Sequence, residues 1–173
     1  MNAVIIAGIL LDSGAWIDAK DNEGYTPLHS AAQAGPAALP VLQALVKRGA
    51  AVNTQASVPV STTPLHATCM PDSELECLRL LLQHGANVDI RDTLGATALH
   101  RACKEGREDA VSLLLAHKAD VNARDMYEST PLHFASSYMK RGCLRLLVEH
   151  GADEQLRNSS GMSPGDCLAA AER

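Results

Sequence analysis

Thr130-Pro131-Leu132-His133 decides the reading of this chain, because the same tetrapeptide recurs along it. Thr26-Pro27-Leu28-His29 and Thr63-Pro64-Leu65-His66 repeat it, and Thr97-Ala98-Leu99-His100 departs only at the proline. The four threonines are 37, 34 and 33 residues apart. A near-constant period of this size signals a stacked array in which each unit touches only its neighbours.

Local chemistry says what each unit contains. Thr is a favourable helix N-cap, since its hydroxyl can satisfy an orphan amide. Pro beside it suits the first helical position, where no donor is needed. Ala98 replaces that Pro at little cost, being a strong helix former. A leucine-rich run follows each tetrapeptide and ends at Gly49-Ala50, Gly85-Ala86, Lys118-Ala119 or Gly151-Ala152. Gly there suits a left-handed C-cap, and Lys118 in its place predicts a strain of roughly 1 kcal/mol. Each unit therefore opens one helix at its tetrapeptide and closes a leucine-rich helix at its glycine, or at Lys118 in its place.

The flanking residues carry a family resemblance. Asp21-Asn22-Glu23-Gly24 and Asp92-Thr93-Leu94-Gly95 precede the tetrapeptide, and Ala31-Ala32 and Ala102-Cys103 follow it. Val52-Asn53, Val88-Asp89 and Val121-Asn122 close the units. Together these resemble the ankyrin repeat over essentially the whole chain. The resemblance implies an all-α ankyrin-repeat solenoid of helix-turn-helix units with β-hairpin-like finger loops. A single array over 1–173 is expected, with full repeats at about 21–53, 54–91, 92–124 and 125–157 and partial repeats at 1–20 and 158–173.

Irregularities are informative. Ala3–Ser13 reads as the second helix of a first unit, with an apolar face of Ile5, Ile6, Ile9 and Leu10. Gly35–Pro40 lengthens an inter-helix loop, and Pro40 is placed to start the helix after it. Thr54–Thr62 reads as an elongated finger, including Pro59. An extra residue falls near Pro71-Asp72-Ser73, with Ser73 expected to cap a helix starting at Glu74. Glu128 and Met139 stand where glycines are usual, and Gly165 replaces a buried Leu. The last change predicts weak packing of a helix running to about Glu172.

Composition narrows the functional classes. The net charge is −5, which argues against binding a phosphate backbone. The longest apolar stretch, Ala3–Leu11, is far short of the roughly 20 residues a membrane span needs. No Lys or Arg precedes it, so a secretory signal is not expected. Cys69 and Cys103 share a repeat position, as do Cys77 and Cys143, so register explains four of the five cysteines as small core residues. Reduced thiols and a cytoplasmic or nuclear location are the expectation.

Register also absorbs the seven histidines. His29, His66, His100 and His133 close the tetrapeptides, and His84, His117 and His150 sit near second-helix C-termini, where they favour the dipole. The resemblance implies that the first four bond to backbone of the neighbouring unit. No zinc-like Cys/His spacing, nucleophile elbow or phosphate loop occurs. No enzyme, cofactor or metal is expected.

What remains are residues the repeat does not require. The resemblance implies that a partner protein or peptide sits on the concave face built from fingers and first helices. Three of the five aromatics, Tyr127, Phe134 and Tyr138, fall in that set. Phe134 and Tyr138 are four apart and share a helix face. With Met126, Leu94, Arg101 and Lys104 they suggest a hydrophobic and basic patch, with Tyr25 as a further contact. Such a patch suits a peptide with an apolar anchor and an acidic flank. The competing reading is packing: Phe134 between first helices, and Tyr138 filling the space of an absent Gly. Trp16 is a second candidate. The resemblance further implies Asn122 and Asn53 as candidates for asparaginyl hydroxylation. The function expected is a monomeric, non-catalytic scaffold or adaptor, for instance in substrate recognition for a ubiquitin ligase or in signalling. The alternative is the regulatory ankyrin region of a larger enzyme or channel.

Overall fold

The structure is a computed structural model that describes residues 12–57, 60–71 and 73–173. Most of the helix expected over Ala3–Ser13 falls outside these residues, including its Ile5, Ile6, Ile9 and Leu10 face, as do Pro59 and Asp72. The described residues form helices and loops with no strand. The chain divides into two compact units, one of residues 1–68 and 72–87 and one of residues 69–71 and 88–173.

In the first unit, α1 (Pro27–Gln33) and α2 (Leu39–Lys47) are joined through a 3₁₀ turn at Pro36–Ala38. They are followed by α3 (Pro64–Ala67) and α4 (Leu75–Gln83). α1 packs on α2 and α3, and α4 packs on α2 and α3. Pro40 is the second residue of α2 rather than the first, because the 3₁₀ turn runs straight into the helix. The expected cap at Ser73 is corrected by the structure. Glu74 is the N-cap and the helix starts at Leu75. The buried Ser73 hydroxyl instead donates to the Ala67 carbonyl at 3.0 Å, satisfying the end of α3.

The second unit holds α5 (Ala98–Glu105), α6 (Glu108–Ala116), α7 (Pro131–Ser137), α8 (Arg141–Glu149) and α9 (Pro164–Ala171). The first helices α5, α7 and α9 pack in sequence, and the second helices α6 and α8 pack behind them. α9 forms to Ala171 under a capping box in which Ser163 Oγ accepts from the Asp166 amide at 3.2 Å. Only Pro164 and Cys167 of this helix are buried, and an open groove of about 440 Å³ lies beside Gly165.

Both cores are aliphatic, as scarce aromatics require. Leu28, Leu42, Leu45, Leu65, Leu78 and Leu81 are fully buried in the first unit, and Leu99, Leu114 and Leu147 in the second. All five cysteines are buried free thiols, including Cys167, which register did not explain. Lys118, Glu128 and Met139 adopt φ of 65°, 57° and 52°, so each occupies the left-handed region that glycine fills elsewhere.

Finger length follows the sequence reading. A backbone bond closes each regular finger over four residues, as in Asp21 N–H to Tyr25 O, Asp92 N–H to Ala96 O and Asp125 N–H to Ser129 O. In the long finger the equivalent bond joins Ala56 N–H to Thr62 O at 2.9 Å, two residues wider. Fingers touch through single bonds, Ser57 N–H to Glu23 O and Met126 N–H to Leu94 O, which are too few to make a strand ladder.

Candidate functional site

His29, His66, His100 and His133 are buried, each at the close of its tetrapeptide. In each tetrapeptide the Thr amide donates to histidine Nδ1 at 3.1–3.2 Å, and the Thr hydroxyl lies within 2.8–3.0 Å of the same nitrogen. An accepting Nδ1 leaves the proton on Nε2. That nitrogen donates to the next repeat: His29 to Thr62 O, His100 to Ser129 O and His133 to Met162 O, at 3.0–3.1 Å. Burial pushes all three imidazoles below their ordinary value, against the raising effect of these carbonyls. They are neutral connectors. The C-terminal histidines act locally, with His84 Nδ1 on Leu80 O at 2.9 Å and His150 Nδ1 on Leu146 O at 2.8 Å.

Asn53 and Asn122 are also connectors. Asn53 Oδ1 accepts from the Asn87 amide at 2.8 Å and its Nδ2 donates to Gly85 O at 3.0 Å. Asn122 repeats this with Asp153 N–H at 2.9 Å and Gly151 O at 3.4 Å. Asp18 and Asp89 accept the corresponding amides of Ala51 and Asp120. The amide side chain therefore adds one donor to a link that a carboxylate also makes.

The finger aspartates build the next layer. One oxygen of Asp92 accepts from the Leu94 and Ala96 amides, and one of Asp125 from Tyr127 and Ser129. Asn158 does the same for Ser160 and Met162, and Asp21 for Glu23 and Tyr25. These bonds fix the finger tips. They present Leu94, Met126 and Tyr127 to solvent, each more than half exposed. Gly95 lets the fingers close, since a Cβ there would sit 2.9 Å from the Met126 nitrogen.

In the second unit these fingers and helices α5 and α7 enclose a cleft of about 260 Å³. Leu94, Ala96, Met70, Tyr127 and Phe134 give it apolar walls, and Asp92, Asp125, Arg101, Lys104 and Glu105 give it charge. Phe134 is half-buried and meets the His100 ring edge-on, with centroids 5.3 Å apart. Tyr138 caps α7, is 48% exposed, and lies under the Lys104 ammonium at 5.5 Å. Met126 stands beside Tyr127 on the finger. Tyr25 belongs to the first compact unit, edge-on to His29 at 5.4 Å, and is not among the cleft residues. Trp16 is 84% exposed.

Charge in the cleft is arranged differently from the hydrophobic and basic patch the sequence suggests. Arg101 is committed: its guanidinium donates to Asp92 Oδ2 at 2.8 Å, and Asp92 is 8% exposed. Among the described residues, Lys104 is the basic group of the cleft wall that makes no ion pair. Asp125 is as buried as Asp92, at 6% exposed, but the residue nine further on is Phe134, not Arg. No described residue makes an ion pair or hydrogen bond with its second oxygen. The sequence analysis did not single out Asp125, whose finger position it met only as part of the repeat pattern. Comparing Asp92…Arg101 with Asp125…Phe134 was the available signal.

A family model of three ankyrin repeats matches residues 39–125 and 89–158, and a single ankyrin-repeat model matches 23–54. The chain belongs to the ankyrin-repeat family. Ankyrin-repeat relatives include a transient receptor potential cation channel subfamily A member 1 homolog of Caenorhabditis elegans, 33% identical over 101 residues, 58% of this chain and 8% of that protein. Human SH3 and multiple ankyrin repeat domains protein 2 is 31% identical over 105 residues, 61% of this chain and 6% of its own length. Human Rabankyrin-5 is 33% identical over 113 residues, covering 60% and 9%. The chain thus spans less than a tenth of these relatives. Ankyrin repeats mediate protein–protein interaction. No described helix is long and apolar enough to cross a membrane, and no group of three or more metal-ligating side chains is found among the described residues.

Proposed function

We propose that this chain is a non-catalytic scaffold that holds a segment of a partner protein in the cleft between α5 and α7. One observation carries the reading. Leu94 and Tyr127, each more than half exposed, line the cleft with the half-buried Phe134, and the 48% exposed Tyr138 lines the adjoining groove with the same ring, at positions the repeat leaves variable. Clustered exposed apolar side chains mark interaction sites, and aromatic residues dominate the energy of such sites. A binding module acting as a monomer in the cytoplasm or nucleus, as an adaptor or as the recognition part of a ubiquitin ligase, fits this reading.

The test is affinity capture from lysate with wild type beside a Tyr127→Ala/Phe134→Ala/Tyr138→Ala variant. A captured partner should bind Tyr127→Ala about 2 kcal/mol more weakly, or roughly thirtyfold, with no loss of helix content. A partner retained equally by both proteins refutes the cleft as the site. The second reading, a regulatory region of a larger enzyme or channel, draws on the channel-subunit relative and on the small share of each relative that the chain spans.

A further inference from the structure

Asp125 is the one acidic finger residue of the second unit that is buried without a cation. Three residues occupy this register there: Asp92, Asp125 and Asn158. Each spends one oxygen on two backbone amides of its own finger. Each must then settle its second polar atom. Asp92 does so through Arg101. Asn158 is neutral, and with its oxygen accepting two amides its nitrogen is left as a donor. Asp125 has neither solution, because Phe134 occupies the place of the arginine. No buried side-chain oxygen or nitrogen among the described residues lacks a hydrogen-bond partner, so this second oxygen opens onto the cleft, where it stands as an anionic acceptor without a cation.

We propose that the cleft takes an arginine side chain from the bound segment, its guanidinium pairing with Asp125 against the rings of Phe134 and Tyr127. This rests on the cleft being the binding site proposed above, and it names the chemistry of the occupant. The partner supplies in trans what Arg101 supplies in cis one repeat earlier. The cleft volume of about 260 Å³ lies below that of a drug-sized ligand site and suits a single long side chain. Glu105, at the end of α5, adds a further carboxylate to the cleft lining, so a cationic occupant meets favourable charge despite Lys104. A planar guanidinium bonds a carboxylate in a fork and stacks on aromatic faces, which an ammonium does not do as well. An acidic flank, which the sequence suggests from Arg101 and Lys104, would meet Asp125 unfavourably.

Random peptides displayed on phage would be selected against the full chain, then against Asp125→Asn and Phe134→Ala. Asn158 shows that an amide at this register keeps both finger bonds, so Asp125→Asn removes the charge without the turn. Enriched peptides should carry arginine at one fixed position. Replacing that arginine by alanine in a synthetic peptide should weaken Kd about tenfold or more, and Asp125→Asn should do the same with little added effect in combination. Arginine to lysine should recover only part of the loss. Peptides that need Phe134 but show no fixed arginine, or that bind Asp125→Asn undiminished, overturn the arginine assignment and leave the cleft standing. Peptides indifferent to Phe134→Ala, or no enrichment at all, overturn both.

Discussion

Replacing His100 by Ala removes four interactions at one buried point, with the Thr97 amide, the Thr97 hydroxyl, the Ser129 carbonyl and the Phe134 ring. The ring is fully buried, accepts from the Thr97 amide at 3.1 Å, donates to Ser129 O at 3.1 Å, and meets Phe134 edge-on. Losing the link to Ser129 should cost about 1 kcal/mol, because that carbonyl keeps the Asp125 amide as a donor. Stranding the buried Thr97 amide should cost about 2 kcal/mol, and losing the ring pair at least about 0.5 kcal/mol more. The sum is about 3–4 kcal/mol, a large share of the 5–15 kcal/mol typical of a folded domain. Urea unfolding followed by circular dichroism reads it as a lower midpoint at unchanged slope. A loss below about 1 kcal/mol would refute the view that these histidines join the repeats, since even one orphaned buried amide exceeds that.

Acid should act on the same groups. His29, His100 and His133 are held below their ordinary value of 6.5, so the unfolded chain binds more protons than the folded one as pH drops past that value. Stability is therefore full above about pH 6.5 and falls below it by up to about 1.4 kcal/mol per pH unit for each histidine, until the folded values are passed; a flat melting temperature between pH 7 and pH 5 contradicts this. Lys118→Gly should stabilise by up to about 1 kcal/mol, because φ of 65° disfavours a side chain and Gly49, Gly85 and Gly151 hold the same register; a lower melting temperature would sink the argument. Gly95→Ala should destabilise by about 2 kcal/mol, combining φ of 77° with a Cβ placed 2.9 Å from the Met126 nitrogen; thermal melting reads it, and a neutral result would show that the fingers can separate freely.

Much of the architecture was legible because its determinants are local. Thr-Pro-Leu-His specifies cap, first turn, buried leucine and connector within four residues, so every tetrapeptide opens a helix where expected. The long finger was legible from counting alone, since two added residues widen one closing bond and change nothing else. Ser73 was not, because its hydroxyl had two uses and the choice depends on where α3 ends. That helix stops at Ala67, where the Thr68 hydroxyl turns back to Leu65 O, and Pro71 bars continuation. The cleft's aromatics were visible as departures from the repeat. Its charge was not, because whether Arg101 is offered or spent depends on a side chain nine residues away, across a finger.

The connectors have a direction. His29, His100 and His133, with Asn53 and Asn122, all reach toward residues later in the chain. The carbonyls that receive the histidines at Thr62, Ser129 and Met162 each hold a second donor from their own finger, from Ala56, Asp125 and Asn158. A repeat that loses its successor is left with an unanswered imidazole N–H, whereas one that loses its predecessor frees backbone amides at exposed residues, such as Ser57, Met126 and Ser159, which water can answer. The array is thermodynamically polar, like a row of tiles each lapped by the next, and loosening should run backward from a damaged repeat into those before it more readily than forward into those after.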